Sequence, residues 1–264
     1  MSPLLLAAAA LGALCAALGL VYLLARRINN YGIVDIAWSY AFLPLASFYA
    51  LFGPGYGPRR LLIAAMAAVW SARLGTHLLV RIARKHPEED GRYKQLRKDW
   101  AASFAPKMAG FFQLQAASVV LLGIPFLVAC SNADPGVHAV EWFAAALWLT
   151  AIGGEALADA QLSRFKSDKE NRGRVCDAGL WRYSRHPNYF FEWLIWVSFF
   201  LFGLGSPWGL IGAISPACIL YLLLRVTGIP ATEEQSLRSK GEAYRSYQLR
   251  TSAFVPLPPR VTRS

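Results

Sequence analysis

The chain has 264 residues, of which 55% are hydrophobic and only 16% are charged, whereas about 25% of residues are charged in an average soluble protein. This composition excludes a disordered chain, a nucleic-acid-binding tail and an ordinary soluble domain. The net charge of +11 does not indicate a nucleic-acid partner, because the basic residues form clusters separated by uncharged stretches of membrane-spanning length. The four cysteines are scattered without metal-ligand spacing, so we expect neither a metal site nor a disulfide framework.

Uncharged stretches predict the secondary structure in chain order. A helix needs about 20 apolar residues to cross a hydrocarbon core that is about 30 Å thick. The candidate spans are 1–25, 36–58, 61–80 with Arg73 inside it, 108–133, 138–160 with three acidic residues inside it, and 193–224, which is long enough for two short spans broken near 203–207. We therefore predict an all-α, multi-pass membrane protein with about seven transmembrane helices; six and eight are the alternatives.

The distribution of lysine and arginine predicts the orientation. Two basic residues follow the first predicted span, eight the third, seven the fifth and seven the seventh, which leaves only three of the 27 elsewhere. Positively charged loops stay in the cytoplasm, so we expect the N-terminus outside and the C-terminus inside. No internal repeat is evident. We expect one membrane domain, with three helices in 1–107 and four in 108–264, that acts as a monomer in contact with membrane lipid.

Ionisable side chains at membrane depth are the first candidate functional residues, because each is costly there unless it is paired or faces a cavity. Asp35 and Trp38 lie three residues apart at the start of the second predicted span and share a helix face. An interfacial aspartate beside an aromatic-belt tryptophan is the alternative reading. Arg73 and His77 lie four apart in the third predicted span and begin a polar stripe, for which snorkelling side chains are the alternative.

The densest group of polar residues lies between the fifth and sixth predicted spans. Segment 164–174 repeats lysine and arginine, which bind phosphate through charge-assisted hydrogen bonds. Segment 179–192 interleaves arginines with aromatic rings that can stack on a base or a nicotinamide. Asn188 and Glu192 lie four residues apart in it and offer an amide and a carboxylate to a carboxamide or a ribose. A positively charged loop that binds anionic lipid is the alternative reading.

Several of these segments resemble a known superfamily. The C-terminal region of steroid 5α-reductases and sterol C14-reductases is similar to Arg185-His-Pro-Asn-Tyr189 with Glu192, to Glu233-Glu-Gln-Ser-Leu237 and to the segment with Tyr244 and Tyr247. The bacterial branch of that superfamily is similar to Asn29-Asn-Tyr-Gly-Ile-Val-Asp-Ile-Ala-Trp38 and Glu88-Glu-Asp-Gly-Arg-Tyr93. The resemblance covers 29–258. The C-terminal motifs also resemble isoprenylcysteine and phospholipid methyltransferases, which bind S-adenosylmethionine.

The resemblance implies an oxidoreductase of the bacterial cytoplasmic membrane. Such an enzyme takes hydride from NADPH and reduces the C4=C5 double bond of a 3-oxo-Δ4 steroid or a similar enone lipid. The residues at or near cofactor-site positions, which would face the cytoplasm, are Asp159, Lys166, Asn171, Arg172, Arg174, Arg182, Tyr183, His186, Asn188, Tyr189, Glu192 and Glu234. Asp35 falls near the acidic residue that helps to polarise the substrate carbonyl, with Trp38 beside it.

The chain departs from the superfamily pattern at two points. The tyrosine that the eukaryotic enzymes place on their third helix aligns near Trp70, which has no phenolic proton, and two glutamates replace a histidine cluster after the last helix. Hydride addition to an enone builds an enolate, so the site needs a hydrogen-bond donor at the carbonyl oxygen. A protonated Asp35 is the expected donor, and His77 and Tyr93 are the alternatives.

Two other classes of function stay open. A membrane methyltransferase would transfer a methyl group from S-adenosylmethionine to a lipid or a prenyl-cysteine, and it would need neither a proton donor nor a 2′-phosphate site. A transporter or lipid-binding protein would not need the aromatic and basic clusters and would more typically contain internal repeats. The expected partners are an enone lipid substrate and membrane lipid, with no nucleic acid.

Overall fold

The backbone is helical throughout the part of the chain that the structure describes. The structure is a computed structural model that describes residues 1–85 and 87–260. Within these ranges it contains no β-strand, only an isolated bridge between Ser184 and Ser252. The α-helices are α1 Pro3–Ile28, α2 Ile33–Phe52, α3 Gly57–Lys85, α4 Gly91–Asp99, α5 Phe104–Leu122, α6 Ile124–Ser131, α7 Ala139–Ser167, α8 Pro187–Leu204, α9 Ile214–Tyr221, α10 Ile229–Lys240 and α11 Glu242–Arg250. The predicted all-α fold is confirmed.

Six helical segments of the described residues are long and apolar enough to cross a membrane. They are Pro3–Ile28, Ile33–Phe52, Gly57–Arg84, Ala101–Ser131, Ala139–Ser167 and Gly209–Lys240. The multi-pass membrane architecture is confirmed, with one candidate span fewer than the seven predicted. The predicted span that begins at 193 forms α8, and the polar residues Asn188 and Glu192 in its first two turns shorten its apolar stretch. The orientation of the termini remains a prediction from charge.

The turn between α1 and α2 positions the first candidate residues. α1 ends at Ile28 because Asn29 adopts a φ of 53°, a left-handed conformation that asparagine tolerates better than most side chains. The side-chain oxygen of Asn30 accepts a hydrogen bond from the backbone N–H of Gly32 at 3.1 Å, just before α2 begins. Asp35 therefore lies in the first turn of α2.

The predicted span 108–133 corresponds to the candidate span Ala101–Ser131, within which α5 and α6 are two separate helices. Gly123 separates α5 from α6, and the side chain of Leu45 approaches it so closely that a Cβ there would lie 2.5 Å from the leucine Cδ2. Pro125, at the start of α6, has no N–H with which to continue the hydrogen bonds of the preceding turn. The helix break therefore coincides with a close approach of Leu45 to Gly123 and with a proline that interrupts the series of backbone hydrogen bonds.

The packing divides the chain into two compact units. Unit 1 comprises Met1–Glu141 with Phe202–Gly212, and unit 2 comprises Trp142–Leu201 with the chain from Ala213 onward. All predicted catalytic residues belong to unit 1, and all predicted cofactor residues belong to unit 2. The single domain expected from the sequence remains a prediction.

In unit 1, α2 and α3 form a closely packed pair. The ring of Tyr40 covers Gly75, where a Cβ would lie 2.8 Å from the ring atoms. One layer deeper, Phe42 meets the buried Trp70 edge to face, with ring centroids 5.1 Å apart. The hydroxyl of Ser71 donates to the backbone carbonyl of Ser39 at 2.6 Å. Small and aromatic residues thus let the two helices approach closely, as is common in membrane helices.

In unit 2, the connecting loop 168–186 is fixed to α7 and to the C-terminal segment. The indole Nε1 of Trp181 donates to the carbonyl of Ala158 on α7 at 3.0 Å. The backbone N–H of Arg185 donates to the carbonyl of Ser252 at 2.8 Å. The C-terminal part of the loop, 181–185, is therefore held by α7 on one side and by the C-terminal segment on the other.

Candidate active site

The clearest polar cluster of unit 1 joins Asp35, Arg92 and Tyr93. The phenol hydroxyl of Tyr93 donates to Asp35 Oδ1 at 2.8 Å. The guanidinium of Arg92 forms an ion pair with Asp35 Oδ2 and donates to the Tyr93 hydroxyl oxygen at 3.2 Å. Tyr93 is fully buried, and the side chain of Asp35 is 16% exposed. A carboxylate, a phenol and a guanidinium therefore meet at the start of a predicted membrane span.

This contact depends on how α4 docks against the turn between α1 and α2. Glu89 accepts a hydrogen bond from the backbone N–H of Tyr31 at 2.8 Å and pairs with Arg97 at 3.0 Å. Arg97 also donates to Asn29 Oδ1 at 2.8 Å, and its guanidinium lies 4.9 Å from the centroid of the Tyr31 ring. The two N-terminal segments that resemble the bacterial reductases are thus in direct contact with each other.

The surroundings of Tyr93 keep its phenol protonated. Burial raises the pKa of the Tyr93 hydroxyl well above its usual range, and the neighbouring Asp35 carboxylate raises it further. A phenol in this setting acts as a hydrogen-bond donor. Asp35, which accepts from both Tyr93 and Arg92, acts as the acceptor of the cluster.

The other predicted catalytic residues lie apart from these contacts. The indole Nε1 of Trp38 donates to Ser118 Oγ on α5 at 2.9 Å, and its ring packs edge to face on Phe42 with centroids 4.9 Å apart. His77 is exposed on α3. Trp70, which aligns near the tyrosine of the eukaryotic enzymes, is fully buried. Among the three expected donors, the structure brings together Asp35 and Tyr93.

In unit 2, the first C-terminal motif is tied to α10 by Glu233. The carboxylate of Glu233 accepts from Arg185 Nε at 2.6 Å and from Gln248 Nε2 at 2.8 Å, and it lies 3.4 Å from His186 Nε2. The ring of His186 stacks on Tyr189, with centroids 5.3 Å apart and an interplanar angle of 6°. The two C-terminal motifs therefore meet through one carboxylate.

In the first turn of α8, Asn188 meets α7. Its Nδ2 donates to Asp159 Oδ1 at 3.3 Å. Its Oδ1 is buried and accepts no hydrogen bond from the described residues. Glu192, on the next turn, accepts from Trp196 Nε1 at 2.9 Å. Asn188 thus presents a buried acceptor that a ligand N–H could fill.

The remaining predicted cofactor residues are distributed over the connecting loop and α10. Those whose side chains are exposed are Lys166, Arg172, Arg174, Arg182, Tyr183 and Glu234. Asn171 is half-buried and donates to the carbonyl of Phe165 at 3.1 Å. Glu234 pairs with Arg238 one helical turn away, at 2.5 Å. Of the two adjacent glutamates, Glu233 rather than the predicted Glu234 lies within the loop network.

Sequence reasoning did not select four residues that the contacts make prominent. They are Arg92 in unit 1 and Arg185, Glu233 and Gln248 in unit 2. Three of them lie inside the segments on which the superfamily resemblance rests, so membership of those segments was the available signal. Gln248 lies outside them, and no feature of the sequence distinguishes it.

Both the Asp35–Tyr93 cluster and the Arg185–Glu233 cluster lie within the region that matches a known protein family. The family described as "protein of unknown function (DUF1295)" matches residues 21–251. The chain belongs to the DUF1295 family. An uncharacterized protein of the fission yeast Schizosaccharomyces pombe is 29% identical over 257 residues, which span 86% of this chain and 73% of the yeast protein. No solved structure matches the chain. The DUF1295 match extends over the Asp35–Tyr93 contact and over the Arg185–Glu233 contact alike.

Proposed function

We propose that the chain is an NADPH-dependent reductase of the steroid 5α-reductase and sterol reductase superfamily. Its substrate would be a 3-oxo-Δ4 steroid or a similar enone lipid, reduced at the C4=C5 double bond. The observation that carries the proposal is the 2.8 Å hydrogen bond between the Tyr93 hydroxyl and Asp35 in the first turn of a membrane-length helix. In this proposal Tyr93 supplies the phenolic proton that Trp70 lacks.

The chemistry requires a donor at the substrate carbonyl. Hydride adds to the β-carbon of the enone, the double-bond electrons move toward the carbonyl to form an enolate, and the α-carbon then takes a proton from solvent to give the saturated ketone. Tyr93 donates a hydrogen bond to the carbonyl oxygen as negative charge develops there. Asp35 accepts the hydrogen bond of the phenol at 2.8 Å and so holds the Tyr93 side chain in place before the hydroxyl turns to the substrate. Tyr93 is thus assigned the catalytic role and Asp35 a positioning role.

The residues of unit 2 fit the cofactor that the proposal requires. The buried Oδ1 of Asn188 has no donor among the described residues, and a carboxamide N–H₂ would satisfy it. The exposed Lys166, Arg172 and Arg174 suit phosphate groups through charge-assisted hydrogen bonds. NADPH, when bound, supplies the hydride. The positive-inside distribution of basic residues supports a cofactor site that faces the cytoplasm.

Single-turnover consumption of NADPH tests the proposal. Purified protein is mixed with NADPH and an enone steroid, and the rate is compared with that of Tyr93→Phe, which removes only the hydroxyl. The variant should be slower by about 10²–10³-fold, the usual loss for one such donor, with NADPH affinity unchanged. Tyr22→Phe is the matched control, because its hydroxyl donates to the Ala105 carbonyl at 3.1 Å in the same unit. Equal rates for Tyr93→Phe and the wild type would exclude Tyr93 as the donor.

A further inference from the structure

Arg92 is the only described cation within ion-pair distance of Asp35, and it contacts both members of the Asp35–Tyr93 pair. Its guanidinium also lies over the Tyr93 ring, 4.9 Å from the centroid. The backbone N–H of Arg92 donates to Asp90 Oδ1 at 3.1 Å, which caps the start of α4. The arginine is therefore fixed at its backbone and directs its side chain to the other two groups.

We propose that Arg92 is a positioning residue that frees the Tyr93 proton for the substrate by keeping Asp35 paired. This inference rests on the proposed reduction and adds a residue to it. In the resting cluster the phenol proton points to Asp35. To polarise a carbonyl, that proton must turn away from the carboxylate, and a buried carboxylate without another partner would hold it back.

Arg92 can stay paired with Asp35 while the Tyr93 hydroxyl rotates. When the Tyr93 proton turns to the substrate, Asp35 keeps the charge-assisted hydrogen bond from the guanidinium. The same guanidinium donates to the Tyr93 oxygen, so it also stabilises negative charge that shifts onto the phenol as the enolate forms. Both contacts come from the single nitrogen Nη2 of the guanidinium, whose two N–H bonds point in fixed directions. A lysine carries its charge as a compact ammonium on a flexible stem and does not hold two donors in fixed directions.

Other charged groups face Asp35 more weakly. Arg81 on α3 and Asp90 at the start of α4 have opposite charges, and these two residues pair with each other at 3.6 Å with both side chains substantially exposed. An exposed pair at this distance contributes little. Removal of Arg92 should therefore change the protonation of Asp35.

Turnover in a double-mutant cycle tests the inference. Arg92→Gln should lower kcat by about 100-fold, the loss expected from a misplaced reacting group, and should leave the KM for NADPH unchanged. In the Tyr93→Phe background the same substitution should lower kcat by less than about threefold, because the group through which Arg92 acts is gone. If the loss of kcat in the double variant equalled the product of the losses in the two single variants, the proposal would be overturned. Arg92→Lys, which keeps the charge, should fold, and its kcat should lie between that of Arg92→Gln and that of the wild type.

Infrared spectroscopy supplies a readout that does not require turnover. Asp35 should be ionised in the wild type at neutral pH. The carbonyl band of protonated carboxylic acids should therefore have the same intensity in the wild type and in Asp35→Asn. In Arg92→Gln this band should gain intensity, since Asp35 has lost its cation. The matched control is Lys94→Gln, which removes an exposed positive charge paired with Glu88 on the same helix and should leave the spectrum unchanged.

These two measurements separate the inference from the function on which it rests. If the wild type reduced no enone, the proposed function would fail, and the infrared comparison alone would decide whether Arg92 controls Asp35. A protonated Asp35 in the wild type, or an unchanged spectrum in both Arg92→Gln and Arg92→Lys, would overturn the positioning role whether or not the enzyme is active.

Discussion

The buried ion pair between Arg59 and Glu141 offers the sharpest prediction about the fold. Arg59 is 0% exposed, and its guanidinium pairs with Glu141 while donating to the backbone carbonyls of Asn132, Asp134 and Gly136 at 3.0, 2.7 and 2.7 Å. Arg59→Met leaves the glutamate charge buried without its partner, which typically costs about 3–5 kcal/mol. It also removes the donor from three carbonyls. We therefore expect a loss of about 4 kcal/mol in the free energy of unfolding.

Denaturant unfolding in detergent micelles, followed by the fluorescence of the nine tryptophans, measures this loss. Arg59→Met/Glu141→Met should recover about half of it, because the stranded carboxylate is gone while the carbonyls still lack donors. Arg84→Met, an exposed arginine on the same helix, should stay within about 0.5 kcal/mol of the wild type. If Arg59→Met stayed within about 1 kcal/mol of the wild type, the reasoning about this buried pair would be refuted.

Three further predictions concern the candidate site. NADPH should raise the melting temperature at lower concentration than NADH, because the basic residues around Arg172 and Arg174 favour the additional 2′-phosphate; equal midpoints, or stabilisation by S-adenosylmethionine alone, would contradict this. Asn188→Ala should weaken NADPH binding about tenfold with little change in the melting temperature of the free protein; the reverse pattern would make Asn188 structural. Because burial raises the pKa of the Tyr93 phenol above its ordinary 10.0, its protonated form persists and kcat should not fall as pH rises to about 10; a fall that disappears in Tyr93→Phe would show that the phenol ionises earlier.

Much of the membrane architecture could be predicted by locating uncharged stretches. The predicted span 1–25 corresponds to α1, which continues to Ile28 because a helix can extend past the hydrocarbon with Arg26 and Arg27 in its last turn. The break expected near 203–207 matches the end of α8 at Leu204. The break at Gly123 was not predicted, because counting charges does not register Pro125, which has no backbone N–H to donate to the preceding turn.

The candidate site could be predicted only in part, for reasons of long-range packing. Asp35 and Tyr93 were each expected to take part in catalysis. Their contact, however, requires α4 and the residues before it to pack against the turn between α1 and α2 through Glu89 and Arg97. That docking joins residues more than 50 positions apart, and Arg92 gains its partners only as a consequence.

The sequence singled out Glu234 for the cofactor site, whereas its neighbour Glu233 makes the contacts to the loop. A π-helical turn at Leu222–Val226 precedes α10. Such a turn inserts an extra residue and rotates everything after it relative to a regular helix. Thr227 and Gly228 then separate this turn from α10, so the face on which Glu233 and Glu234 lie could not be predicted from the spacing of the residues before them.

The transfer of deuterium tests the central claim most directly. The purified protein is incubated with NADPH that carries deuterium at the transferred C4 position and with a 3-oxo-Δ4 steroid, and the product is analysed by mass spectrometry. The proposed reductase predicts a saturated ketone with one deuterium at the former β-carbon, formed at a much lower rate by Tyr93→Phe. A steroid recovered unchanged while S-adenosylmethionine methylates an added lipid, or no deuterium in the product of any enone offered, would contradict the proposed function.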